Sequence, residues 1–263
     1  MASSTSRPFP VGMAAAALVL TVTLVGCAGA GSTESTPGAL GTPGTPGTTQ
    51  AMPRQSSAAD EASPAAVPAP LPGLGPATLA GIPRNARQVV LVTGRGKDSP
   101  ISRVVLYRRT SGGGWRPGAT WPAHNALKGW TDDHHAGDLR SPIGVFGLTD
   151  AGGLRPDPGT KMPYDRSGGF AVGGTGFGGE PLAGSFDYVV AIDYNREPGT
   201  SPLDWTRPLG AGKGGGVWLH VDHGGPTHGC VSLAREHMKE LLRTLDPGRH
   251  PVIVMGDAES LAR

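Results

Sequence analysis

The sequence predicts a mainly β domain held behind a long N-terminal segment that has nothing to bury. Three observations carry this. Six short β-branched runs, each bounded by Gly, Ser, Pro or Asp, punctuate residues 88–255. One stretch near the C-terminus has helical periodicity. Every Trp and Tyr lies beyond residue 100, while residues 28–83 contain no Trp, Tyr or Phe.

In chain order, residues 11–26 come first. They are nearly all apolar or small, and too short a run for the roughly 20 residues a bilayer-spanning helix needs. Arg7 supplies a thin basic start. Leu24-Val25-Gly26-Cys27 resembles a bacterial lipobox, in which the cysteine is acylated and becomes the new N-terminus. The alternatives are an uncleaved anchor or ordinary cleavage near Ala28-Gly29-Ala30. Each of the three exports the rest of the chain. Residues 1–27 are thus expected to be a lipoprotein signal, and the protein to be lipid-anchored on the outer face of the cytoplasmic membrane.

Residues 28–85 are read as a tether. Repeats such as Gly41-Thr42-Pro43-Gly44-Thr45-Pro46 offer no apolar surface for a core. A coil of this length reaches roughly 40 Å. Residues 86–263 form the expected folded domain, long enough for one ordinary core. The net charge of +2 is mixed in sign along the chain, which excludes a nucleic-acid stripe.

The six expected strands are 88–93, 103–107, 143–148, 188–193, 217–221 and 251–255. The expected helix is 233–245: Met238, Leu241, Leu242 and Leu245 fall on one face. Ser232 would cap its start, and Asp246-Pro247-Gly248 would end it. Cys230 then lies on a turn before a helix N-terminus, where the dipole and free N–H groups favour a thiolate. The backbone amides around Gly229 and Cys230 could hold an oxyanion there.

Cys230 is one of two cysteines; if Cys27 is acylated, the exported protein keeps a single thiol. His220, His223 and His228 closely precede it. An unpaired thiol in an oxidising compartment, with histidines beside it, points to an activated nucleophile.

His220 followed by Pro226-Thr227-His228-Gly229-Cys230-Val231 resembles the signature of the L,D-transpeptidase catalytic-domain (YkuD-like) family. A second stretch agrees: Gly137-Asp138-Leu139-Arg140-Ser141-Pro142-Ile143-Gly144-Val145-Phe146 is similar to that family's Gly-Asp-x-x-Thr-Pro-x-Gly-x-Phe segment. The resemblance covers roughly residues 86–256. It departs from the common pattern in a short His-to-Cys interval and in Val221, where many members have Gly.

The resemblance implies an L,D-transpeptidase-like β-sandwich or barrel with one or two helices packed on it. It implies Cys230 as nucleophile, His220 as general base, and peptidoglycan stem peptides as donor and acceptor. His228 is taken with the catalytic group, Thr227 and Gly229 as the supporting and oxyanion shell, and no cofactor or metal is expected. Asp222 is the nearest carboxylate that could orient His220. A carboxypeptidase using the same site, and a non-catalytic wall-binding lipoprotein, remain open alternatives.

The other features have plainer readings. His223 is read as loop surface, as are His134 and His135, since adjacent side chains on an extended segment point apart. A zinc site of His220, His223, His228 and Cys230 matches no familiar spacing. Residues 173–179 lack the Lys-Ser/Thr of a phosphate loop and are read as a hairpin or flap. Of Trp130, Trp205 and Trp218, at least two are expected in the core.

Overall fold

The computed structural model describes residues 70–263. The readings on Cys27, the signal and most of the tether lie outside the described residues. Among the described residues three short helices are present: α1 (Pro76–Ala80), α2 (Arg235–Thr244) and α3 (Ala258–Leu261). The longer strands are β1 (Gln88–Gly94), β2 (Ile101–Arg109) and β3 (Trp115–His124). Short strands follow: β4 (Trp130–Thr131), β5 (Ser141–Pro142), β6 (Gly144–Gly147), β7 (Ala151–Gly153), β8 (Tyr164–Arg166) and β9 (Val189–Ala191). The set closes with β10 (Trp218–Val221), β11 (Val231–Leu233) and β12 (Pro251–Asp257).

Ten strands form one curled sheet in the order β6-β12-β1-β2-β3-β11-β10-β9-β7-β8, while β4 and β5 pair separately. The mainly β expectation holds, and all six expected strands are present. Strands β1, β2 and β12 are buried on both faces, and their alternation divides two cores. Val90, Val92, Val104, Leu106, Ile253 and Met255 face the main core, which α2 covers with Met238, Leu241 and Leu242. Val89, Leu91, Val105, Tyr107, Val252 and Val254 face a second, smaller core.

That second core corrects the boundary expected at residue 86. Leu71 is 2% exposed and packs there with Leu261 and Ala86. Backbone bonds from Gly75 to Leu261 and from Ala77 to Arg263 staple α1 to the C-terminus. The folded part therefore begins by Leu71. Its short Pro- and Gly-punctuated composition hid a single anchoring leucine.

The start of the expected helix is also corrected. Residues 231–233 are strand β11, because they complete the sheet between β10 and β3. The helix starts at Arg235, and its N-cap is Ala234 without a side-chain cap. Ser232 instead donates to Asp222 at 2.6 Å. Cys230 is thus separated from the helix N-terminus by a strand, and the helix dipole does not act on its thiol, since that field fades within the first turn.

Candidate active site

Parallel pairing of β10 with β11 builds the site. Leu219 sits opposite Val231 and His220 opposite Ser232. The connection between the two strands carries residues 222–230, which brings Cys230 back beside the start of β10. There the Trp218 N–H donates to Cys230 Sγ at 3.4 Å, and the thiol donates to the Gly216 carbonyl at 3.7 Å. Thr227 is buried and its hydroxyl donates to the Cys230 carbonyl at 2.6 Å. Ser141, from the Gly137–Phe146 stretch, donates to the same carbonyl at 3.4 Å and accepts from the Ala126 N–H. Both sequence segments therefore converge on one turn.

His220 is buried, and its Nδ1 donates to the Val221 carbonyl at 2.9 Å. That bond fixes the tautomer and leaves Nε2 as the proton acceptor. Phe186 meets the ring edge-on at 5.3 Å, and His223 stacks on it at 5.9 Å. Burial holds His220 down at about 4, outweighing the backbone bond that favours its charge. Burial pushes the Cys230 thiol up to about 11, against the smaller opposing effect of the Trp218 N–H. The thiolate expected from a helix N-terminus is thus corrected: at neutral pH the pair rests as thiol and neutral imidazole.

His220, His223, Thr227, His228 and Cys230 line one cavity of about 230 Å3. Among the described residues no hydrogen bond joins Cys230 to His220, so the thiol must turn from Gly216 to reach the imidazole. No loop carbonyl among them accepts from the Gly229 or Cys230 N–H. His228 is exposed at the rim and packs on Phe177 at 4.6 Å.

Other readings shift. The His223 side chain is only 6% exposed and meets Glu180 at 3.2 Å, so it belongs to the cavity wall and not to the loop surface. Asp222 does not face His220; it pairs with His124 at 2.8 Å and accepts from Ser232. Those bonds hold its carboxyl down at about 2 although burial alone would raise it. His134 is buried, pairs with Asp138 at 3.1 Å and lines a second cavity with Cys230. Its neighbour His135 is exposed. The Asp138 carboxylate also caps the His135 and Arg140 N–H groups, which is why the His134–Asp138 spacing carries meaning that histidine counting missed. Among the described residues no three His, Cys, Asp or Glu side chains converge as a metal site. Trp130 is core, but Trp218 lines a cavity between Phe170 and Phe186, and Trp205 is 80% exposed. The core therefore takes one of the three tryptophans, not two. Residues 173–183 do form a hairpin, closed by a Thr175–Pro181 bridge.

Residues 195–217 form the opposite wall. A buried ionic knot anchors this segment: Arg196 meets Asp150 at 2.9 Å and Asp193 at 2.6 Å. Desolvation raises the Asp193 carboxyl in spite of the arginine.

A family model for the L,D-transpeptidase catalytic domain, YkuD, matches residues 102–254. The chain belongs to the L,D-transpeptidase catalytic-domain family. The match runs from β2 into β12 and includes the cysteine turn, while β1 lies outside it. No curated protein matches the chain in sequence. One solved structure is similar, the helical cell shape determining protein Pgp2 from Campylobacter jejuni. It is 17% identical with a TM-score of 0.37, over 65% of this chain and 48% of that one. This chain thus spans about half the length of that structure.

Proposed function

We propose that the protein is an exported cysteine acyltransferase that joins peptidoglycan stem peptides through L,D cross-links between their third residues. Family membership supports peptidoglycan peptides as substrates. The observation that carries the reading is the shared cavity of Cys230 and His220, with Nε2 of the imidazole left as base by the Val221 bond.

Because thiol and imidazole are both neutral at rest, proton transfer accompanies attack. Cys230 Sγ adds to the carbonyl between a diamino acid and the terminal D-residue as Nε2 of His220 takes the thiol proton. The Gly229 and Cys230 N–H groups hold the resulting oxyanion. Collapse breaks the C–N bond, and the imidazolium returns its proton to the departing amine. The thioester remains. A side-chain amine of a second stem then attacks it, giving up a proton through His220, and the C–S bond breaks to restore the thiol. Thr227 holds the turn through the Cys230 carbonyl, and His228 forms the cavity rim.

The Leu24-Val25-Gly26-Cys27 site supports a lipid anchor on the outer face of the cytoplasmic membrane. The test is mass analysis of purified protein incubated with tetrapeptide stems. Cross-linked dimer with loss of the terminal D-residue is expected, and Cys230→Ser abolishes it. Trimmed monomer alone would assign the site to an L,D-carboxypeptidase. No reaction and no acylation of Cys230 would assign it to a wall-binding protein.

A further inference from the structure

We propose that Arg207 is a specificity-determining residue that binds a free carboxylate of the peptide beside Cys230. The inference rests on the peptide-substrate reading above and adds to it a recognition group. Two cavities, of about 460 and 360 Å3, meet along the wall formed by Trp205, Arg207, Gly215 and Gly216. Cys230 lines the larger one. Neither cavity has an Asp or Glu in its lining.

Arg207 is half-buried in that wall. Its Nη1 donates only to neutral main-chain carbonyls, Asp204 at 3.1 Å and Thr206 at 2.9 Å. Among the described residues no carboxylate forms an ion pair with it. The nearby Asp204 carboxylate is instead taken by the Thr206 N–H at 2.7 Å. The other cations of this wall are engaged: Arg196 by Asp150 and Asp193, and Lys213 by Asp133. Partial burial weakens the hold of the guanidinium on its proton, against the smaller opposing field of the Asp204 carboxylate.

The guanidinium is also aimed. It lies over the Trp205 ring at 4.9 Å, and Trp205 is the most exposed large hydrophobic residue described. Gly214, Gly215 and Gly216 all have positive φ, at 67°, 142° and 65°. A Cβ on Gly215 would collide with Arg207 Nε, so the glycine run lets the guanidinium lie against the main chain. The same run ends at Gly216, whose carbonyl takes the Cys230 thiol. A fixed planar cation thus stands next to the nucleophile in an acid-free wall, which suits a carboxylate gripped through two N–H groups.

A stem tetrapeptide offers this chemistry from two sources: the carboxylate of the terminal D-residue, and the side-chain carboxylate of a diamino diacid. The experiment compares three peptides: the parent, its C-terminal amide and its side-chain amide. Binding to full-length Cys230→Ala protein, purified in detergent, is measured by calorimetry. One amide is expected to bind about tenfold to a hundredfold more weakly than the parent, the range for a lost charge-assisted contact. Which amide is weakened names the source. Arg207→Gln should bring the parent-to-amide ratio near one, and Arg207→Lys should keep part of it. Equal affinity for all three peptides, undetectable binding included, overturns the proposal, as does a preference that survives in Arg207→Gln. A preference that depends on Arg207 in a protein that transfers no acyl group would leave this inference standing and remove the transpeptidase reading.

Discussion

The half-buried setting of Cys230 has a consequence for how its thiol reacts with a small electrophile. A thiol held at about 11 is thiolate in only about one molecule in ten thousand at pH 7. A free cysteine near 8.5 is thiolate at about three in a hundred, so the population falls roughly 300-fold. The more basic thiolate is the better nucleophile, and a Brønsted slope of about 0.45 over this interval returns about tenfold. Iodoacetamide should therefore alkylate Cys230 about 30-fold more slowly than free cysteine at pH 7. The rate should rise with pH at unit slope through about pH 10, with no earlier plateau. The assay is mass-detected labelling under pseudo-first-order conditions from pH 5 to 10, on wild type and His220→Ala. A plateau below pH 8 that disappears in His220→Ala would mean a thiolate–imidazolium pair at rest. The neutral pair and the concerted proton transfer built on it would then be wrong.

The same geometry predicts the acid limb of activity. His220 lies near 4, so kcat/KM for acyl transfer should stay level from pH 7 to about 5 and fall with a midpoint near 4; a midpoint near 6.5 would show an exposed base. The linked stability has the matching sign: because folding lowers this pKa, the contribution is complete above about 6.5 and is lost as pH falls through 4. His223, His228 and Cys230 share the cavity with that ring and Asp222 acts on it through space, and kinetic pH profiles of His220→Gln would separate its share from theirs. His223→Ala removes the ring stacked on His220 and should lower kcat roughly tenfold, against the 10²–10⁴-fold expected for His220→Ala; equal losses would assign the base to His223. Leu71→Ala empties a fully packed site and should cost about 2–5 kcal/mol in urea unfolding, whereas an unchanged midpoint would return residues 70–85 to the tether. Cys27→Ala should abolish labelling by a radioactive fatty acid in cell fractions, and an unlabelled wild type would sink the lipid anchor.

Much of the fold was legible because the central strands are continuous β-branched runs: burial on both faces needs such residues, and β1, β2 and β12 have them. Strand β3 was not legible. Pro117, Gly118 and Pro122 argue against a strand, yet β11 pairs only with Ala123 and His124, so the prolines sit along a free edge where no ladder donor is missed. Strand β11 was missed because Leu233 was absorbed into the helix and Ser232 read as its cap, since a run this short has no period of its own. Within the site, the turn around Cys230 was legible because its chemistry is local in sequence. The roles of His223, His134 and Asp222 were not, because Glu180, Asp138 and His124 decide them across the fold. Arg207 gave one faint signal, a Trp-Thr-Arg step shortly before three consecutive glycines.

The groups that touch the reactive pair most closely are main chain: the Gly216 carbonyl and Trp218 N–H on sulfur, and the Val221 carbonyl on the imidazole. None of them can be replaced by changing a side chain. Substitutions at the exposed rim can therefore alter which peptides enter while leaving the hydrogen bonds that orient thiol and imidazole where the sheet sets them. To re-aim those main-chain groups, evolution or an engineer would have to shift strand β10 itself, and with it both neighbouring strands. Chemistry and selectivity are in this way separable properties of one wall, the first conservative by construction and the second open to drift.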